Sequence, residues 1–501
     1  MQMLSIIILI LVSVSLSYSL YYLFAFIFSI KTYESESDTV NAENDNVAIL
    51  MTICNDFTKE AAASLMKQDY NNFQIFLLDD SYEADEKHKV DEWAIINSTK
   101  VSVIRRNSNK GYKAGNINYS LKKIPDKFNL LCIVDSDQFL PYNYISNIVN
   151  ELNSNESITF IQGIHKGIYE AVSPFSKTLS TTILPEWRYH LPYKNNHGHP
   201  IILGHGYLIR RERLLEVGGL PEIVSEDLAL SMKLGLKGYK GIMSTSCLSQ
   251  EIYPESFKSI QSRRFRWTLA DWEILFKSYF RNFLSSSSIS KKSKLDVFIR
   301  EIRLPFASLY FTLIALITLF LIILEIPVHY NHTLNYIFLI SMSPVYPLFW
   351  VNEYGLNKKI SGFLSTVFVG FSLINIKIGA LFSYLIYRKA FFYVTNSRSK
   401  DRSQTSKLIG PNGYILKAID IISLAIIGIY FVFFKDVFVL CIGFSVLIRW
   451  LTNLKVCRTL ENNIPVFGFL LIVSLLVQIL FGGGLTIIGF LIIISLPLII
   501  V

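Results

Sequence analysis

Seven apolar runs follow one another from residue 304 to the end of the chain, and they constrain the fold more than any other feature. They cover residues 304–326, 335–351, 361–387, 415–433, 436–450, 464–481 and 484–501. A helix of about 20 apolar residues is long enough to cross a lipid bilayer. With 51% hydrophobic residues and a mean hydropathy of +0.37, the chain is too apolar for a soluble protein of this size. We therefore expect residues 301–501 to form a multi-pass α-helical transmembrane region.

The charge pattern predicts how these runs are oriented. The first thirty residues are also apolar and lack a basic start or a cleavage site, which indicates a retained transmembrane helix at 1–31. The basic stretches 31–300, 388–413 and 451–463 belong on the cytosolic side by the positive-inside rule. The orientation is consistent only if 361–387 lies along the cytosolic interface. We therefore predict seven spanning helices in the cell (plasma) membrane, with membrane lipids as partners and the polar domain in the cytosol.

The formal net charge of +9 has the same explanation. A basic chain can bind nucleic acid, but here the aromatic residues lie within apolar runs and not on a basic face. The five cysteines show no spacing typical of a zinc site or a disulfide framework. We expect no nucleic-acid partner and reduced cysteines.

Residues 45–300 have the composition of a folded water-soluble domain. Short apolar runs at 47–53, 74–78, 101–104 and 130–134 alternate there with polar stretches that favour helices. Such alternation is typical of β-α-β units around a parallel or mixed sheet with covering helices. The sequence therefore predicts an α/β, Rossmann-like domain between the first apolar stretch and the later ones.

Two pairs of acidic residues end two of these predicted strands. Asp135 and Asp137 follow the run 130–134, and side chains at i and i+2 of a strand point the same way. Two carboxylates there can bind a divalent cation that bridges a diphosphate, although a solvated strand end would show the same pattern. Asp79 and Asp80 end an earlier run, in the crevice where open α/β sheets bind nucleotides.

A basic segment lies between these acidic pairs, and a third acidic pair follows later. Lys113 can neutralise a phosphate, and Gly115 permits a close backbone approach near the positive start of a helix. Glu226 and Asp227 follow Ser225, a favourable N-cap residue, in the first turn of a predicted helix. Acidic residues in that position also complement the helix dipole, so the motif alone does not establish a catalytic role.

Taken in order, these motifs resemble the family-two glycosyltransferases, in particular the branch of cellulose synthases and hyaluronan synthases. The resemblance implies a GT-A fold for 45–300 and a nucleotide-sugar donor bound with Mg²⁺ or Mn²⁺. It implies metal binding by Asp135 and Asp137, and catalysis by Asp227 as the base with Glu226 beside it. The donor-binding residues that it implies are Thr52, Asn55, Asp79, Asp80, Lys113, Gly115, Asn116, Asp135, Arg264 and Arg266.

The resemblance extends to an expected interfacial helix near 258–280. The segment from Gln261 to Trp267 is similar to the family's Gln-Arg-x-Arg-Trp motif, which places Trp267 under the acceptor sugar, although Arg263 stands where the family has glutamine. Helices rich in arginine and tryptophan are also ordinary membrane-surface anchors. Gly204 and His205 are expected beside the same acceptor, because the histidines lack the partners of a metal site.

A last match lies in the predicted interfacial segment and gating-like loop, 361–413. Phe392, Val394 and Thr395 resemble the gating loop of cellulose-synthase-like enzymes, with Ser397 in place of the family's lysine. The gating role is what the resemblance implies for these residues.

The function that the resemblance implies is inverting transfer of a sugar to a growing polysaccharide. The expected donor is UDP-glucose. The polysaccharide is expected to be exported through the chain's own helices, with accessory export subunits as partners. A rival is transfer of one sugar to a lipid acceptor at the membrane face. A transport or scaffold protein without catalysis, and a hydrolase with two carboxyls around a glycosidic bond, are further alternatives.

Overall fold

The structure is a computed structural model, and it describes residues 45–168, 173–323 and 373–391, with parts of 13–28, 364–372 and 413–422. The strands are β1 (Val47–Ile53), β2 (Phe73–Asp79), β3 (Val101–Arg105), β4 (Leu130–Asp135), β5 (Gln138–Phe139), β6 (Ile158–Gly167), β7 (Tyr207–Arg210) and β8 (Lys240–Glu251). The helices up to residue 236 are α1 (Lys59–Met66), α2 (Ala84–Ile96), α3 (Tyr112–Leu121), α4 (Tyr144–Asn153), α5 (Pro174–Pro185), α6 (Leu191–His197), α7 (Arg211–Glu216) and α8 (Glu226–Leu236). The later helices are α9 (Phe257–Leu275), α10 (Ser278–Ser285), α11 (Lys291–Ile323) and α12 (Ile374–Tyr387).

The strands form one mixed sheet in the order β3-β2-β1-β4-β7-β6-β8-β5. Strands β1 to β4 are parallel, and β7 runs antiparallel to both of its neighbours. Alternate residues of β1 enter two different hydrophobic clusters, since Val47, Ile49 and Met51 pack on one face and Ala48 and Leu50 on the other. Helices cover both faces, which explains the uninterrupted apolar runs. The predicted α/β class is confirmed, and the predicted strands lie within one residue of the observed ones.

The parallel register brings the ends of three strands to one edge of the sheet. Thr52 of β1 pairs with Asp135 of β4, and Ile53 pairs with Asp79 of β2. Strand β4 ends at Asp135, and Asp137 lies in the turn that follows. The prediction that strand alternation aligns Asp135 with Asp137 is therefore wrong. A turn, and not the pleat of a strand, sets the direction of Asp137.

Helix α8 begins where the sequence predicted a helix, at Glu226, directly after Ser225. The Ser225 side chain forms no capping hydrogen bond, although its carbonyl oxygen accepts the Ala229 N–H at 3.1 Å. The start of the helix was thus predicted correctly, whereas the side-chain cap was not. Glu226 and Asp227 occupy its first turn.

Three helices close the domain on the side of the apolar runs. Helix α9 is capped by the Ser256 hydroxyl, which accepts the Ser259 N–H at 3.2 Å, and it packs against α11 and α12. Helix α11 passes through the change of composition at residue 304 without a break. Among the described residues, one helix, Phe368–Tyr387, is long and apolar enough to cross a membrane. The expected gating residues Phe392, Val394 and Thr395 lie outside the described residues.

Candidate functional site

Lys113 connects three of the predicted motifs. Its Nζ forms an ion pair with Asp135 and donates to the Gly204 carbonyl oxygen at 2.9 Å. Gly204 has φ +85°, and a Cβ at that position would lie 3.6 Å from Asp227 Oδ2. The basic residue of α3, the strand-terminal acid and the start of α8 therefore meet at one place.

The two acids of the Asp-Ser-Asp motif differ in their electrostatic surroundings. Burial raises the pKa of Asp135, but the charges of Lys113 and His205 outweigh it and lower the pKa to about 2. Burial, followed by the charges of Asp135 and Glu251, raises the pKa of Asp137 to about 7. Asp137 thus lies in a region of excess negative charge, which a bound cation would relieve.

Thr52 and Asn55 support this edge of the sheet. The Thr52 hydroxyl donates to Asp135 Oδ1 at 3.2 Å. Asn55 has φ +58°, a left-handed conformation that asparagine tolerates better than most residues. Its Oδ1 accepts the N–H groups of Tyr82 and Glu83, each at 3.0 Å, immediately before α2. Both predicted donor-binding residues therefore lie at the expected edge and shape its loops.

Asp79 and Asp80 are each paired with an arginine that belongs to none of the predicted motifs. Asp79 Oδ2 accepts from Arg105 Nε at 2.6 Å, in an ion pair whose acid is buried and whose arginine is partly exposed. The two oxygens of Asp80 accept from Arg106 at 2.8 and 2.6 Å, a bidentate arrangement. Arg106 also donates to the Tyr112 carbonyl oxygen at 2.8 Å, and so links Asp80 to the start of α3. The only sequence signal was two consecutive arginines after the run 101–104.

Gly115 and Asn116 have contacts with the protein itself. A Cβ at Gly115 would lie 2.1 Å from the Lys110 carbonyl oxygen and 2.7 Å from an Arg106 nitrogen. Gly115 therefore permits a close approach to the loop that precedes α3. This contact alone requires glycine at the position, and the expected approach to a phosphate stays a prediction. Asn116 is buried and donates to the Leu78 carbonyl oxygen at 2.9 Å, which ties α3 to β2.

Glu226 and Asp227 are a partly buried acidic pair. Burial is the largest cause that raises the pKa of each, and the charge of Asp227 raises the pKa of Glu226 further. Arg300, on α11, and Lys113 oppose the shift at Asp227. Asp227 Oδ1 accepts its neighbour's N–H, from Leu228, at 2.8 Å. A carboxylate with a raised pKa in this position is suited to accept a proton near neutral pH.

A stack of three rings lies beside the Asp-Ser-Asp motif. The ring of His165 lies 4.2 Å from that of His205 and 4.2 Å from that of Trp187. His205 Nε2 lies 3.1 Å from Glu251 Oε2 and 3.9 Å from Asp135 Oδ2. Trp187 belongs to a π-helical turn, Glu186–His190, a feature that is frequent at functional sites. Of the three rings, only His205 is predicted from the sequence, because His165 and Trp187 belong to no short motif.

His165, His205 and Glu251 have potential metal-ligand atoms within 4.8 Å of one another. The two imidazole rings are stacked with an interplanar angle of 20°. Because an imidazole nitrogen binds a metal in the plane of its ring, stacked rings do not direct two nitrogens to one point. This trio is thus not preformed for a cation, and the two aspartates remain the better oxygen ligands for Mg²⁺ or Mn²⁺.

The predicted acceptor platform lies beside the same charged groups. The guanidinium carbons of Arg263 and Arg264 lie 4.6 and 5.3 Å from the Trp267 ring centre. Arg263 also reaches Glu251, with 3.6 Å between nitrogen and oxygen. Burial lowers the pKa of Arg266 to about 10, so this residue stays charged at neutral pH close enough to Glu226 and Asp135 to interact with both.

Comparisons with known proteins agree with this arrangement. Residues 130–352 match the family model described as Glycosyl transferase family group 2. The chain is 26% identical over 41% of its length to a cellulose synthase catalytic subunit [UDP-forming] of Pseudomonas fluorescens, and it spans 28% of that relative. It is 25% identical over 67% of its length to a probable glycosyltransferase of Sulfolobus acidocaldarius, 71% of which it spans.

A solved structure supports the fold. The mannosyltransferase PcManGT from Pyrobaculum calidifontis, in complex with GDP-Man and Mn²⁺, matches 76% of this chain and 99% of its own with a TM-score of 0.50 and 13% identity. The predicted GT-A-like architecture is thereby confirmed. The mixed sheet, the convergent acids at its edge and the matching family model together lead to one conclusion: residues 130–352 belong to a domain of the glycosyltransferase family 2 type.

Proposed function

We propose that this chain is an inverting, metal-dependent glycosyltransferase that moves a sugar from a nucleoside diphosphate donor to a hydroxyl group of an acceptor. The observation that carries the proposal is the meeting of Asp135, Lys113 and Asp227 around Gly204. A diphosphate needs positive charge, an acceptor hydroxyl needs a base, and the transferred sugar needs both within one site. One crevice at the carboxyl edge of the sheet offers these groups together.

The chemistry of the site fits a divalent cation. Asp135 and Asp137 offer hard carboxylate oxygens, and burial, followed by the charge of Asp135, raises the pKa of Asp137. The buried Oε1 of Gln138, next in sequence, has no hydrogen-bond partner. When bound, Mg²⁺ or Mn²⁺ would neutralise the charge that develops on the leaving diphosphate. Asp135 and Asp137 would hold it.

The chain's own residues supply the remaining steps. Lys113 and Arg266 balance the charge of the diphosphate, and Asp80 with Arg106 lines the nucleotide side of the crevice. Asp227 accepts the proton of the acceptor hydroxyl while that oxygen forms a bond to the anomeric carbon. The bond from the anomeric carbon to the phosphate oxygen breaks on the opposite face, so the configuration inverts and the nucleoside diphosphate leaves. Glu226 would act beside the base.

The acceptor would lie on Trp267. Sugar rings present apolar C–H faces that pack on aromatic rings, and two guanidinium groups hold the Trp267 indole in place. Gly204 lies beside Asp227, and His205 contacts Glu251, which also contacts Arg263 of this platform. The arginines of the same helix lie near the donor phosphates, so α9 contributes to both halves of the site.

We further propose UDP-glucose as donor and a growing polysaccharide as acceptor, with export through the chain's own membrane helices. The likeness of the site motifs to those of cellulose synthases supports this choice. A polar glycan needs a protein-lined path across lipid, and the seven apolar runs after residue 304 can supply one. Accessory export subunits would then join the membrane region.

The direct test is product analysis. The full chain in detergent or nanodiscs would receive a panel of radiolabelled nucleotide sugars with Mn²⁺, and parallel samples would contain EDTA. We expect an unprimed polymer from UDP-glucose, loss of product with EDTA and recovery on adding excess Mn²⁺. A product of one sugar on lipid would support the lipid-acceptor alternative, and a folded chain that transfers sugar from no donor would contradict the proposal.

A further inference from the structure

The loop 198–206 carries Gly204 and His205, and its end is fixed by the centre of the catalytic domain. The Leu203 N–H donates to Gln162 Oε1 at 2.8 Å, and Gln162 Nε2 donates to the His205 carbonyl oxygen at 2.9 Å. Lys113 holds the carbonyl oxygen of Gly204. This end of the loop therefore moves with β6 and α3.

The start of the same loop is fixed by α11. The His199 N–H donates to Asp296 Oδ2 at 2.8 Å, and the Ser293 hydroxyl donates to the Gly198 carbonyl oxygen at 3.2 Å. A Cβ at residue 198 would lie only 2.5 Å from Asp296 Oδ2, so the glycine permits this close contact. The position of Asp296 therefore determines where the loop begins.

Asp296 is in turn held by a buried junction of three elements. Lys194 of α6 donates to Asp296 Oδ1 at 2.6 Å, and the two side chains are 1% and 2% exposed. The Tyr21 hydroxyl, from the helical residues described between 13 and 28, donates to the same Oδ1. Both donors use one oxygen, which leaves Oδ2 for the His199 N–H.

The N-terminal segment has further contacts with the same part of the domain. The ring of Tyr21 lies edge-on to that of His190 at 5.6 Å, and the ring of Phe28 lies 5.2 Å from that of His197. His197 directly precedes the loop 198–206, and His190 lies eight residues before it. A simple membrane anchor would not require a hydroxyl in a buried ion pair of the catalytic domain.

We propose that the N-terminal helical segment is a positioning element for the site, acting through Tyr21 and Asp296 on the loop 198–206. The segment helps to align Gly204 and His205 with Asp135 and Asp227. The part of this inference that concerns acceptor binding rests on the function proposed above. The part that concerns the loop rests on the described contacts alone.

The first test removes one hydroxyl. In Tyr21→Phe the ring contacts remain, Asp296 Oδ1 loses one donor, and His190 Nε2 loses its contact with the hydroxyl at 3.3 Å. We expect hydrogen exchange at the amides of residues 199–203 to accelerate about fivefold, with an unchanged melting temperature. In transfer from UDP-glucose, the KM for the acceptor should rise while the KM for UDP-glucose stays constant. The control is Leu20→Ala, at an exposed neighbouring side chain.

Hydrogen exchange separates the two levels of the inference. If the chain does not transfer sugar from UDP-glucose, the kinetic comparison fails for all variants, but the exchange rates still test the positioning role. Exchange in Tyr21→Phe equal to that in the wild type would overturn the inference. So would faster exchange spread over the whole domain, because that result indicates a general loss of stability.

A second pair of variants tests Asp296. Removing one charge alone leaves its partner buried and unpaired, which can prevent folding. We therefore compare two double variants. One combines Lys194→Met with Asp296→Asn, and the other combines Lys194→Met with Asp296→Leu. Both doubles remove the ion pair, but only asparagine keeps an oxygen for the His199 N–H. We expect the asparagine double to keep the slow exchange of the loop and the leucine double to lose it, and equal exchange would overturn the inference.

Discussion

At Asp227, burial and charge act in opposite directions. Burial raises its pKa, while Arg300 and Lys113 lower it, and the net shift is upward. A proton acceptor in this position cannot be replaced by an amide of the same shape. We expect Asp227→Asn to reduce sugar transfer by about 10²- to 10⁴-fold, measured as release of UDP from UDP-glucose in the presence of acceptor.

The control for this prediction is Glu212→Gln, which removes an exposed carboxylate on α7. Binding of UDP, measured by calorimetry, should be the same in the wild type and both variants, because Asp227 is not assigned to the donor. Transfer by Asp227→Asn at the wild-type rate would show that another group is the base.

The residues that were predicted and those that were missed differ in one respect. Asp135, Lys113 and Asp227 belong to short motifs whose residue types already indicate charge or proton transfer. Arg106, by contrast, has its role through Asp80, which lies 26 residues away in the sequence. Glu251 has its role through His205, which lies 46 residues away. Only the folded sheet brings these pairs together, and single arginines and glutamates are too common for a sequence to distinguish them.

Helix α3 gives a prediction at the scale of an element. Replacing a helical glycine by alanine usually stabilises by up to about 1 kcal/mol. At Gly115 the added Cβ would collide with the Lys110 carbonyl oxygen, a backbone atom that cannot rotate away. We expect Gly115→Ala to destabilise by about 1–3 kcal/mol, measured by urea unfolding, and to weaken UDP binding because the collision displaces Arg106.

Gly370 provides the matched control for this variant. It lies in a helical segment and a Cβ there meets nothing within 4 Å. Gly370→Ala should leave stability unchanged or slightly raised. A stabilising effect at Gly115 would mean that the loop before α3 moves aside at little cost.

The contact of α9 with α11 contains a buried acid whose ionisation affects stability. Burial, and then the charge of Glu301, raises the pKa of Asp271, while Arg300 and Arg303 oppose the shift. An acid with a raised pKa in the folded state binds a proton that the unfolded chain releases. Stability is therefore lost as the pH rises from the unfolded value near 3.8 toward the folded pKa.

Asp271→Asn should remove this dependence, because an amide resembles the neutral acid. We expect the variant to be more stable than the wild type by about 1–3 kcal/mol at pH 8.5, with a difference that shrinks toward zero at about pH 4, close to the unfolded value of 3.8. Thermal unfolding in detergent at the two pH values measures this. The same difference at both values would show that Asp271 is ionised throughout.

Elements of the domain were easier to predict than their junctions. The buried strands β1, β2 and β4 are uninterrupted apolar runs, so their ends could be located within one residue. The turn after β4 was not anticipated, because strand periodicity continues formally through Asp137. Helix α11 likewise crosses residue 304, since helix geometry does not depend on whether the exposed face meets water or lipid.

At the scale of the whole molecule, helices α9, α11 and α12 form the side of the domain that continues into the apolar runs. Exposed apolar side chains on them, including Phe276, Leu316 and Ile386, offer a surface suited to lipid. The ring of Tyr384 stacks on that of Phe276 at 5.6 Å, so α12 lies against the end of α9. This contact is not predicted from the sequence, which supports only the assumption that 361–387 follows the membrane surface.

That assumption gives the last prediction. If the segment 361–387 lies along the interface, both of its ends face the side of the catalytic domain, as the basic loop after residue 388 requires. We would place cysteines at two exposed positions, Gly370→Cys near the start of the helix Phe368–Tyr387 and Lys389→Cys just after its end, and label them with a membrane-impermeant maleimide. Both should react in inside-out vesicles, and neither should react in sealed cells. The reference Tyr142→Cys, on the catalytic domain, should show the same pattern. Labelling of the two ends from opposite sides would show that the segment spans, and then the orientation of every later helix would be reversed.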